Sequence, residues 1–232
     1  MSTSPEPKDE PQWHLEGSPA VPFASVLRLI TPKMIADASL VLQWAKEYIS
    51  QPHPNLGREG AICPFVPPSI ERNTFYLALH YEVDGSNLET IKHLVLQYAD
   101  LFLECLPLEE TERIYKAILV VFPSLPEERA TILDMLHKEV KDCFVNKGMM
   151  IGQFHKNCPE PAARNPFFRI SISPIPLVAM RYMSVHDILF LNERKCWFEE
   201  YQKRFGWQYE VGKVSSTTYR ELYYRTKKFY SL

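Results

Sequence analysis

Glycine is scarce in this 232-residue chain. Eight glycines stand against 19 prolines, where average usage would give about 16 and about 12. The inverted ratio implies stiff loops, and without a glycine period it excludes a collagen-like chain. Long apolar runs are missing too, so no membrane-spanning helix is expected. Charge of neither sign dominates: 26 lysines and arginines face 28 aspartates and glutamates. That balance argues against a nucleic-acid surface as the default. The N-terminus is polar and acidic, with no apolar leader core and no Arg-rich amphipathicity. Cys63, Cys105, Cys143, Cys158 and Cys196 are odd in number and widely spread. They read as reduced thiols, and a cytoplasmic setting is expected. Also missing are C-x2-C and H-x3-H pairs, phosphate-binding glycine loops, a G-x-S-x-G turn and an HExxH helix. No metal site is therefore expected, since His155 and Cys158 supply two ligands at most.

What is present is a globular composition, 46% hydrophobic and 12% aromatic, enough for one sizeable core. Residues 1–30 read as a tail, disordered or loosely docked through Trp13 and Phe23. From Pro32 an apolar 3–4 spacing predicts a helix ending before Pro52. Five prolines and two glycines over 51–69 forbid helix there. Thr74–Glu82 predicts a strand, Leu88–Leu106 an amphipathic helix, and Tyr115–Phe122 a strand buried on both faces. Ser124 and Pro126 open a further helix that Gly148 closes. Met149–His155 predicts the third strand. Residues 156–176 are again proline-rich loop, and Leu177–Met183 fits a strand or a helix start. A short helix capped by Ser184 and a helix over 194–205 follow. The fold class is α/β or α+β: a small mixed or parallel sheet on a β-α-β-α-β core, with long proline-rich loops. The domain spans 31–210, and 211–232 form a basic aromatic end that packs on the domain or a sister subunit, which makes a homo-oligomer one expectation.

Ligands in such sheets gather beyond the carboxyl ends of strands. Gln153 and His155 end the third strand, and the second proline loop then brings Cys158 and Arg164. His155 reads first as a histidine bonded to loop backbone, and otherwise as a general base or a metal or haem ligand. The first proline loop concentrates His53, Arg58 and Cys63. Arg58, between Gly57 and Gly60, suits a bidentate hold on a carboxylate or phosphate, or a pairing that pins the loop. Cys63 reads as a buried thiol, a nucleophile supported by His53, or a haem thiolate, so haem is a candidate cofactor. Arg181 sits in an apolar run and must be paired or line a cavity; Asp187 is the candidate partner.

The blocks HPNLGREGAICPFVPPSI, VVFPSLPEE, GMMIGQFHKN and NPFFRISISPIPLVAMRYM together resemble an uncharacterised bacterial domain family, often found near genes for specialised metabolism. The resemblance spans residues 36 to 206. One departure stands out: Lys156 follows the strand-end histidine where the family pattern has proline. The family brings no activity with it. The expectation is thus a pocket built from 53–66, 153–169 and 181–187 that takes an anionic small molecule. Catalysis would fall to His155, Cys63 and His53, and ligand binding to Arg58, Arg181, Gln153 and Arg164. The alternative is a non-catalytic module for a ligand, haem or a protein.

Overall fold

The computed structural model describes residues 30–231. The expected tail contacts of Trp13 and Phe23 lie outside the described residues. Helix α1 (Pro32–Trp44) begins as its sequence dictates. Thr31 Oγ1 accepts the Met34 N–H at 3.2 Å, and Pro32 fills a position whose N–H needs no partner. One π-helical turn, Ala45–Ile49, continues it up to the first proline loop. That loop corrects an expectation, because it holds a short helix, α2 (Val66–Glu71). Pro67 and Pro68 sit in its first turn, the one place where a helix tolerates the missing donor.

The core then follows: β1 (Phe75–Leu79), α3 (Leu88–Glu104), the short α4 (Glu110–Arg113), β2 (Ala117–Val121), α5 (Ile132–Asn146) and β3 (Met149–Phe154). Helix α5 starts later than the Ser124 signal predicts. A 3-10 turn at Glu127–Arg129 precedes it, held by the buried Leu125 and Ala130. Gly148, with φ +74°, ends it as expected. The second proline loop contains a small hairpin, β4 (Pro161–Ala162) with β5 (Asn165–Arg169), where the sequence suggests only loop. Leu177–Tyr182 is a strand, β6. Ser184 and Asp187 then form a reciprocal capping box, and α6 (Ile188–Leu191), α7 (Lys195–Glu210) and α8 (Thr217–Phe229) complete the chain. No helix among the described residues is long and apolar enough to cross a membrane.

The sheet order is β1-β2-β6-β3. Strands β1 and β2 are parallel, joined through α3, while β6 enters between β2 and β3 and runs antiparallel to both. The sheet is mixed and the fold is α/β in the sense expected. Side chains alternate between two faces. Ile118, Val120, Ile151, Val178 and Met180 pack with Val95, Phe102, Leu136 and Val140 of α3 and α5. Leu119, Val121 and Leu177 pack instead with Val41 and Trp44 of α1. A third, aromatic cluster joins α7 and α8 through Phe198, Tyr201, Tyr209 and Tyr223 to Met150 of β3. The basic aromatic end is thus a helix whose Tyr223 is buried against the domain.

Candidate functional site

The α1 face of the sheet does not fill completely. Ala179 lies in register with Leu119 on one side and Gly152 on the other, and Ala117 lies opposite Arg181. Three of these five positions carry little or no side chain, in strands otherwise rich in bulky residues. Above this floor stands a cavity of about 440 Å3. Trp44 and Ile49 wall it from α1; Arg58, Cys63 and Phe65 from the first proline loop; and Arg164 and Ile170 from the second. His186, Phe190 and Tyr219 close the far side. The volume falls within the range of small-molecule sites, and its lining is mainly apolar with a few charged groups.

The two loops are held together as one wall. Gly57, with φ +74°, lets them meet, since a Cβ there would stand 3.1 Å from Arg164 Cβ. Asn165 donates to Asn55 O at 2.8 Å, and the His53 ring stacks on Phe168 with centroids 4.2 Å apart. Helix α1 anchors the second loop, with Trp44 Nε1 donating to Ile172 O and the Tyr48 hydroxyl to Ile170 O. His53 therefore supports the wall and is not itself part of the lining.

The arginines divide by partner. Arg181 forms a fork with Asp187, at 2.8 and 2.7 Å, and donates to Tyr182 O. Asp187 is fully buried, while the Arg181 side chain keeps 21% exposure. Burial works against the Arg181 charge, but Asp187 outweighs it and raises the pKa above the ordinary guanidinium value. Its plane also lies over the Phe65 ring, 4.7 Å from the centroid. Arg58 donates to two backbone carbonyls, Glu59 O at 2.8 Å and Ile62 O at 2.9 Å. Among the described residues no carboxylate pairs with Arg58 or with Arg164. Among the described residues the cavity thus holds two guanidinium groups with no carboxylate partner.

His155 and Gln153 belong to the opposite face of the sheet. They sit on the α5 side of the sheet, with His155 1% exposed. Its Nε2 is 3.2 Å from Asp134 Oδ1, and Gln153 Nε2 donates to the same oxygen at 3.2 Å. Cys158 Sγ approaches that carboxylate at 3.8 Å. Burial pushes the Cys158 thiol up to about 11. Gln153 also reaches the cavity lining, whereas His155 does not. The structure brings Arg58, Cys63, Arg164, Arg181 and Gln153 to one cavity and leaves His53 and His155 outside it.

Sequence reasoning overlooked the contribution of α5. Asp134, His137 and Lys141 share one helical face at i, i+3 and i+7, and His137 and Lys141 line the cavity where it passes β3. Burial lowers both pKa values, that of His137 to about 4. The i, i+3, i+7 spacing was the available signal, masked by the stronger apolar stripe of Leu133, Leu136 and Val140.

The sequence profile of a family described as a domain of unknown function, DUF6875, matches residues 38–216. The chain belongs to the DUF6875 family. The match spans both proline loops, the whole sheet and α7, and it covers the cavity lining except Tyr219. No curated protein and no solved structure matches this DUF6875 chain.

Proposed function

We propose that this DUF6875 domain binds a small amphipathic anion in the cavity over the sheet. One observation carries the reading: the small-residue floor of Ala117, Ala179 and Gly152 opens a largely apolar space whose wall supplies Arg58 and Arg164, which pair with no carboxylate among the described residues. An apolar body would lie against the floor, where burial of its surface contributes most of the affinity. A carboxylate, sulfonate or phosphate head would accept from the N–H donors that Arg58 does not spend on loop carbonyls. Arg181 stands behind this site as a clamped group, fixing the β6 end through Asp187.

The same cavity carries Cys63, and this favours a second, enzymatic reading in which the thiol attacks the bound molecule. Five unpaired thiols support a reducing, cytoplasmic setting. Extraction of the purified protein followed by mass spectrometry tests the first reading. The expected result is one co-purifying organic anion that Ala179→Leu, which fills the floor, no longer carries. An anion retained equally by Ala179→Leu overturns it. Loss of ligand turnover in Cys63→Ser with binding intact would select the enzymatic reading.

A further inference from the structure

On the opposite face of the sheet, the geometry points to a metal site formed by Asp134, His155 and Cys158, taking a divalent transition ion of the zinc type. The carboxylate, imidazole and thiol ligand atoms all lie within 4.8 Å of one another, so one ion at their centre reaches all three without movement of a backbone element. The set combines one oxygen, one nitrogen and one sulfur donor, which favours zinc-like ions over magnesium or calcium. The three residues come from two elements that the core fixes. Asp134 stands on the first turn of α5, and His155 and Cys158 follow β3 in a tight turn closed by the Cys158 N–H donating to His155 O at 3.1 Å.

The His155 ring is buried and its Nε2 faces Asp134, so Nε2 is the nitrogen that an ion at the centre of the cluster would use. Binding would form the metal–sulfur bond as the Cys158 proton leaves for solvent, with the Asp134 carboxylate as the oxygen ligand. Three protein ligands leave a fourth position of a tetrahedral ion open. Gln153 contacts Asp134 and also reaches the cavity lining, so it links the cluster to the cavity. The H-x-x-C spacing alone supplies two ligands; the helix adds the third.

The test uses the full chain without a histidine tag, stripped of metal and titrated with Co2+. The expected result is one Co2+ per chain, with a thiolate-to-cobalt charge-transfer band that Zn2+ abolishes by displacement. In Cys158→Ser that band is lost, and Asp134→Asn weakens Co2+ binding more than tenfold. Far-UV circular dichroism confirms that each variant is folded. Asp134 is partly exposed, so Asp134→Asn remains informative if Cys158→Ser fails to fold. A folded parent chain with no charge-transfer band overturns the assignment. So does a folded Cys158→Ser that keeps the band, or an Asp134→Asn that binds Co2+ as tightly as the parent.

Discussion

Arg58 and Arg181 show how residue identity alone underdetermines role. Both line the cavity, yet Arg181 is spent on Asp187 while Arg58, among the described residues, holds only neutral carbonyls. Arg58→Gln should therefore weaken binding of an amphipathic anion. Charge-assisted bonds are worth about 1.5–3 kcal/mol, or roughly 10- to 100-fold in affinity. Titration calorimetry against such an anion checks this, and unchanged affinity counts against it. Asp187→Asn should instead act on stability. Removing one partner of a buried pair typically costs about 3–5 kcal/mol, and the residual exposure of Arg181 places the cost at the lower end. Denaturant unfolding reads it out, and a loss under about 1 kcal/mol would show that the fork is dispensable. Thiol reactivity should also divide. Cys158, with its pKa pushed up to about 11, should resist alkylation near neutral pH while the exposed Cys196 reacts. Labelling followed by peptide mass spectrometry decides the matter; fast labelling of Cys158 in folded protein would contradict its burial.

At the scale of elements, the sequence reads well wherever one local rule dominates. The apolar spacing of α3, the continuous run of β2 and the left-handed Gly148 each announced their element, because period and backbone freedom act within a few residues. The proline loops were legible as rigid walls but not in their content. The β4–β5 hairpin and the segment that follows it are held by contacts across the fold, such as Asn165 on Asn55 and Trp44 on Ile172. His155 shows the same limit. Strand alternation places it with Gln153 on the α5 face, but the alternation could be applied only once β6 was known to pair beside β3. Arg58, Cys63 and Arg164 were found as cavity residues from the loops, whereas Asp134, His137 and Lys141 came from a helix read for its apolar stripe. The meeting of the two loops is itself testable. Gly57→Ala puts a Cβ into a left-handed backbone and against Arg164, which should cost about 1–2 kcal/mol and loosen ligand binding as well. A variant with native melting and native affinity would mean that the loops do not depend on each other there.

For the whole molecule, two observables follow. The first is acid sensitivity. Burial holds His137 at about 4 in the folded state against an ordinary 6.5. The unfolded chain therefore takes up a proton before the folded one does. The His137 contribution is present above about pH 6.5 and is lost progressively as pH falls toward 4, on the order of 3 kcal/mol in all. Unfolding free energies at pH 7 and pH 5 should differ less in His137→Gln than in the parent chain; an equal difference would remove His137 from the account. The second observable bears on the cavity itself, which exists because Ala179 and Gly152 stay small between bulkier strand neighbours. The direct measurement is the stoichiometry and affinity of 1-anilinonaphthalene-8-sulfonate, an amphipathic anion, for the folded parent and for Ala179→Leu and Arg58→Gln. Near-UV circular dichroism confirms native packing in each, because loosely packed states also bind this dye. One molecule bound per native parent chain is expected, with binding abolished in Ala179→Leu and weakened at least tenfold in Arg58→Gln. Equal binding by all three folded proteins, or none by the parent, would contradict a ligand cavity on this face of the sheet.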